Sequence, residues 1–200
     1  MKDRLNQFID NLNGQFVELS SKTALYQCMD LAYAWTFVLG FPKATIQNGY
    51  AYQVWTAPKD ITRVHFELIP NSPTAIPQDG DLVIWSNSYG PAGHIAIALG
   101  GGTVNSFMCF EQNNPLGTNA HVQSRSYTHV LGWLRPKVSV SATPSPITDQ
   151  SKYDFGQDFG VIELQVGRSK LQELKNRSND QNNQINALNS RISQIRVLAQ

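Results

Sequence analysis

Leu5, Phe8, Ile9 and Leu12 recur at helical spacing near the start of the chain, and Asn13-Gly14 supplies a stop, so the pattern predicts a short N-terminal helix. A polar loop follows. From about Cys28 to Leu39 the apolar positions become nearly continuous, which predicts a buried helix ended by Gly40 and Pro42. From residue 80 onward the texture changes to strands. The turn "PQDG" leads into "DLVIWS", the Ile-rich "HIAIALG" is joined by Gly100-Gly101-Gly102 to "TVNSFMCFEQN", and "HVLGWLRP" closes the region at Pro136. Helices first and an antiparallel sheet afterwards predict an α+β domain over residues 1–136.

The remainder reads differently. Residues 137–151, "KVSVSATPSPITDQS", are rich in Ser, Thr and Pro and read as a linker, the connection as a whole running over 137–168. Ser169 with Gln172 makes a capping-box pattern. Beyond it Leu171, Leu174, Ser178, Gln181, Ile185, Leu188, Ile192, Ile195 and Ala199 fall on alternating steps of three and four. This heptad seam predicts a coiled-coil helix over 169–200 and a homo-oligomer built through it. Ile and Leu at the seam with two polar interruptions leave dimer and trimer both open.

Composition narrows the class. The 200 residues are 41% hydrophobic with a net charge of +1, as expected of a globular domain with an appendage. Basic and acidic residues number 9 and 9 over residues 1–137 and 7 and 6 over 138–200, so no clustered basic face points to nucleic acid. The N-terminal "MKDRLNQFIDNLNGQF" has no apolar run of signal-peptide length. The longest apolar stretch, "LAYAWTFVLGF", falls short of the roughly 18 residues that a membrane span needs. A protein made in the cytoplasm without a signal peptide, and without membrane insertion, is expected.

Two cysteines, Cys28 and Cys109, match neither a disulfide framework nor a zinc spacing, so both are expected as reduced thiols. Cys28 falls where a polar segment gives way to the buried helix, at a first turn whose dipole and free N–H groups favour a thiolate. A nucleophilic thiol needs a base, and the base an orienting partner. His94 starts a strand directly after the Gly-rich "GPAG" turn. His65, His121 and His129 lie in loop or strand settings that a structural histidine would occupy equally well. Strand alternation puts Glu111 and Asn113 on one face, and the hairpin brings their strand beside that of His94. Cys109 reads as a small core residue, Asp79 and Asp81 as turn residues, the four tryptophans as core, and Gly100–Gly102 as a turn without the Lys-Ser/Thr of a phosphate loop.

Taken in order, "YQCMDLAYAW", "GDLVIW", "GPAGHIAIA" and "FEQN" resemble the CHAP family of cysteine, histidine-dependent amidohydrolases and peptidases, papain-like peptidoglycan hydrolases that include phage endolysins and virion lysins. The resemblance spans about residues 1–136. It implies Cys28 as nucleophile, His94 as general base and then acid, Glu111 as the residue orienting His94, and Asn113 as a further polar member of the site. It also implies an oxyanion hole from Gln27 and the backbone N–H of Cys28. Many members carry an acidic calcium loop just before the cysteine; here that place reads "VELSSKTALYQ", with only Asp30 and the nearby Glu18 as carboxylates. Six to eight oxygen ligands are not in view, so no calcium, metal or other cofactor is expected.

The function expected from this resemblance is cleavage of an amide bond of bacterial peptidoglycan, by an N-acetylmuramoyl-L-alanine amidase or a peptidoglycan endopeptidase. Such an enzyme would act on the cell wall after release through a holin or from a virion. The alternative is a virion structural or attachment protein that keeps the CHAP-like fold and assembles through its coiled coil.

Overall fold

The computed structural model describes residues 1–19 and 26–137. The chain divides into two units, Met1–Ser145 and Pro146–Gln200, and every described residue belongs to the first. The expected linker and heptad seam lie outside the described residues.

Helix α1 spans Lys2–Leu12 and buries Leu5, Phe8 and Leu12, one face of the predicted amphipathic pattern. Helix α2 spans Cys28–Val38, and every residue from Asp30 to Phe37 is buried, as its continuous apolar texture predicts. Phe8 of α1 meets Trp35 of α2 with ring centroids 5.2 Å apart and packs edge-on to Phe110 at 5.9 Å. The Trp35 indole N–H donates to the Gly80 carbonyl at 2.9 Å, so the largest core residue of α2 leaves no buried donor unpaired.

A 3-10 turn at Lys43–Thr45 and two short helices, α3 (Gln53–Thr56) and α4 (Asp60–His65), precede the sheet. Its strands are β1 (Phe66–Pro70), β2 (Leu82–Trp85), β3 (His94–Ala98), β4 (Ser106–Glu111), β5 (His121–Ser126) and β6 (Val130–Pro136). They pair antiparallel throughout in the order β1-β6-β2-β3-β4-β5. Strands β2 and β3 are buried along their whole lengths, and Trp85 and Trp133 join Val83, Ala96, Ala98, Phe107 and Cys109 in one apolar cluster. The core reading of Trp35, Trp85 and Trp133 therefore holds.

Structure before residue 80 is richer than the sequence pattern suggests. Strand β1, "FELIP", forms one edge of the sheet, where Pro70 costs no central ladder bond. Strand β5, "HVQSRS", forms the other edge; it is polar and mostly exposed, so no apolar alternation announces it. Asp81 is a structural carboxylate: it accepts from the Gln78 N–H at 2.8 Å and pairs with both Nε and a terminal nitrogen of Arg135 at 3.2 and 2.8 Å. Burial nevertheless raises its pKa above the usual carboxylate range against these hydrogen bonds.

Candidate active site

Local chemistry puts Cys28 at the open end of a buried helix. Tyr26 adopts a left-handed φ of 57° and donates its N–H to Glu18 Oε2 at 2.6 Å, which turns the chain into the helix. Gln27 is the extended N-cap residue, and Asp30, three positions on, accepts the Gln27 N–H at 2.7 Å and the Leu19 N–H at 3.2 Å. The fully buried Asp30 thus closes the first turn and ties it to the preceding segment. Cys28 itself is partly exposed.

His94 is the first residue of β3, opposite Trp85 of β2, and its ring packs in a cluster with the rings of Trp85 at 5.4 Å and Tyr89 at 6.1 Å, themselves 6.0 Å apart. The glycine before it has a physical cause. Gly93 has φ of 67°, and a Cβ there would sit 2.5 Å from the Trp85 carbonyl oxygen and 2.8 Å from Tyr52 Cβ. The close approach for which the Gly-rich turn makes room is that of the Tyr52 segment, whose N–H donates to the Ala92 carbonyl at 3.2 Å.

Glu111 ends β4 with no exposed surface, and its Oε2 lies 3.1 Å from His94 Nε2. The Cys28 side chain lies close enough to the same imidazole to act on its charge. The structure thus brings Cys28, His94 and Glu111 into one chain of contacts. Burial works to strip the proton from His94, but the neighbouring Cys28 and Glu111 side chains overcome that and raise its pKa to about 9. Burial likewise opposes ionisation of Glu111, and the His94 and Arg125 hydrogen bonds outweigh it, holding the carboxyl below its usual range.

Asn113 stands elsewhere than alternation predicts. The strand ends at Glu111, and Asn113 has φ of 63°, so the two-residue period no longer applies. Its Nδ2 donates to Gln27 Oε1 at 3.3 Å and its Oδ1 accepts the Gly117 N–H at 2.7 Å. Asn113 therefore meets the residue before Cys28, and no contact with His94 is among its described hydrogen bonds.

Two neighbours, Gln112 and Arg125, escaped the sequence reading, and a third, His121, read as structural. Gln112 is fully buried; its Oε1 accepts the Val17 N–H at 2.7 Å, and its Nε2 donates to the carbonyls of Val17 at 2.9 Å and Gln27 at 3.0 Å. It stitches the end of β4 to the segments flanking the cysteine. Arg125 of β5 grips Glu111 with two nitrogens, Nε lying 3.1 Å from Oε2 and a terminal nitrogen bonding Oε1. His121, directly opposite Glu111 in the ladder, places Nε2 3.7 Å from Oε1 while its Nδ1 donates to the Asn119 carbonyl at 2.7 Å. The structural setting expected for His121 is thus corrected to a place beside the site. His65 keeps a structural one, tilted against Phe41 at 4.5 Å with its pKa lowered by burial. The signal for Arg125 was a single cation in an uncharged polar stretch, legible only once the β4–β5 register is known.

Among the described residues, no group of three or more His, Cys, Asp or Glu side chains is arranged to hold a metal ion, and no helix is long and apolar enough to cross a membrane.

No family model matches the chain, and no curated protein matches it. Solved structures do. The crystal structure of a wild-type endolysin, LysIME-EF1, aligns at 25% identity over 69% of this chain and 64% of that one, with a TM-score of 0.57. Ly7917 aligns at 14% identity over 68% and 62%, and Ly7917 with the hydrolyzing product of MDP at 15% over 68% and 63%, each with a TM-score of 0.50. This chain spans just under two thirds of the length of each. Its α+β domain, six antiparallel strands with the helices before them, therefore shares its fold with a wild-type endolysin.

Proposed function

We propose that residues 1–136 form a CHAP-type domain that hydrolyses an amide bond of bacterial peptidoglycan through a cysteine nucleophile, in the manner of a phage lysin. The observation that carries this reading is the chain of contacts from buried Glu111 through His94 to the partly exposed Cys28 at the N-terminus of α2. The likeness in fold to an endolysin, and to a protein whose structure was determined with the hydrolyzing product of MDP, supports peptidoglycan as the substrate.

The geometry suits acyl transfer. His94, with its raised affinity for a proton, takes the proton of Cys28, and the helix N-terminus and the imidazolium stabilise the resulting negative charge. The sulfur adds to the amide carbonyl carbon, and the carbonyl electron pair moves to oxygen, where the Cys28 N–H and the Gln27 amide receive it. Asn113, bonded to Gln27 Oε1, orients that amide. His94 then gives its proton to the leaving nitrogen, the C–N bond breaks, and a thioester remains. Water adds next, losing a proton to His94, and collapse releases the carboxylic acid and restores the thiolate–imidazolium pair. Glu111 orients the ring and balances its charge throughout. Every proton in this scheme moves between protein side chains, substrate and water, so treatment with a chelator is expected to leave the rate unchanged.

Loss of turbidity of purified peptidoglycan, compared between the native protein and Cys28→Ala, tests the reading. Clearing by the native protein alone supports it, and mass analysis of the fragments separates the amidase, which frees the muramic-acid lactyl carboxyl and the L-alanine amino group, from the endopeptidase, which frees both new ends within the peptides and leaves the lactyl amide intact. A folded protein that clears no wall chemotype would overturn it. We propose in addition that the seam over residues 169–200 assembles several catalytic heads and so raises avidity for a polymeric substrate. Ile185→Asp combined with Ile192→Asp should then reduce the solution mass to that of one chain; a native protein already at that mass sinks the idea.

A further inference from the structure

We propose that Arg125 is a positioning residue of the thiol–imidazole pair: its two-point grip holds Glu111 ionised and aims Oε2 at His94. The inference rests on the cysteine mechanism proposed above and adds to it a regulator on the far side of the carboxylate. Antiparallel pairing sets Arg125 opposite Phe107 and His121 opposite Glu111, so one face of edge strand β5 presents both side chains toward the end of β4. The guanidinium Nε reaches Glu111 Oε2 at 3.1 Å, a terminal nitrogen bonds Oε1, and the same terminal nitrogen donates to the Asn114 carbonyl at 3.1 Å. The last contact fixes the guanidinium against the loop that carries Asn113. A planar fork held at three points leaves the carboxylate one orientation, with Oε2 on the His94 side.

The groups facing Glu111 are His94 from β3, Arg125 and His121 from β5, and Cys109 from β4 itself, whose Sγ lies 3.6 Å from Oε2. Beyond these, Cys28 from α2 acts through His94, and Tyr89 acts on Arg125. Of these groups only Arg125 carries a permanent positive charge. Glu111 has no exposed surface, and burial is the strongest influence on it, opposing its charge. Without the guanidinium, Glu111 takes up a proton at a higher pH, the imidazolium loses its counter-charge, and the thiolate at Cys28 forms at a higher pH.

The test uses the full-length protein and a readout that needs no wall substrate: the rate of Cys28 alkylation by iodoacetamide against pH, followed by mass of the Cys28 peptide. In Arg125→Met the pH at which Cys28 becomes half-reactive should rise by about one unit or more. Arg125→Lys, which restores charge without the fork, should return most of that shift yet leave peptidoglycan clearing several-fold below native, with kcat rather than KM reduced. Far-ultraviolet circular dichroism and a denaturation midpoint establish that each variant is folded. An unchanged or lowered half-reactive pH in folded Arg125→Met overturns the proposal, as does Arg125→Lys behaving like Arg125→Met in both readouts. If the native protein clears no wall while the alkylation profile still shifts, the peptidoglycan reading fails and the positioning role stands.

Discussion

Cys28 and Cys109 are the two thiols of the chain, and both answer to the same carboxylate. Cys109 meets Glu111 directly, Sγ to Oε2 at 3.6 Å, inside the sheet core and with no exposed surface. Burial raises its pKa, and the neighbouring negative charge raises it further. Cys28 stands one imidazole away from that carboxylate, partly exposed, at the positive end of a helix. In the proposed mechanism, an inserted His94 turns the same anion from a repellent of thiolate into its support, because the carboxylate stabilises the imidazolium that accepts the thiol proton. Reactivity in a thiol thus follows from what stands between it and the nearest charge.

Exchanging each thiol for alanine is the largest perturbation of this contrast. Cys28→Ala should lower peptidoglycan clearing by about a thousandfold or more. Cys109→Ala should keep clearing within about threefold and cost about 1 kcal/mol of stability, read from a denaturant midpoint, as expected for a small buried side chain. Loss of clearing in a folded Cys109→Ala would remove the distinction altogether.

Thiol labelling draws the same contrast without substrate. Native protein should take up one iodoacetamide, at Cys28, with Cys109 modified on the order of a hundredfold more slowly and only freely in denaturant. Equal labelling of both under native conditions contradicts the buried setting of Cys109.

Glu111→Gln removes the shared anion while keeping its shape. Clearing should fall by about tenfold to a hundredfold, since the imidazolium loses its charge partner. Cys109 should remain unlabelled because its burial is untouched. Native-like clearing by this variant would mean that the carboxylate does not support His94.

The mildest effect is that of pH. His94 holds its proton up to about 9, so clearing should decline as pH rises through that value. The sign for stability is the same: a pKa raised above 6.5 contributes stability that is complete below 6.5 and is lost as pH rises through about 9. A denaturation midpoint that falls over this window in the native protein, but falls less in His94→Gln, checks it.

Much of the site was legible because its signals are local. A cysteine at the polar-to-apolar boundary, a histidine after a glycine turn, and a glutamate closing an apolar run each carry their own short-range cue, and hairpin logic joins the last two. The alternation argument for Asn113 does not apply, because alternation holds only while the strand lasts and β4 ends at Glu111. Edge strands β1 and β5 gave no cue because a strand open to water on one side has no need of continuous apolar residues. Arg125 went unseen with β5, and His121 read as structural for the same reason. Gln112 lay between two residues already singled out, and nothing local separates a buried amide from an exposed one.

From the sequence alone came the helix that opens at Cys28, the buried strands β2 and β3, and the pairing of His94 with Glu111, since hydrophobic period, glycine and proline stops and hairpin connection are properties of neighbouring residues. Tertiary structure alone decided that Arg125 and His121 reach Glu111, which segments Gln112 ties together, and why Asn113 meets Gln27. Those contacts join residues distant along the chain through strand register and long side chains, and register is set by the packing of the whole sheet.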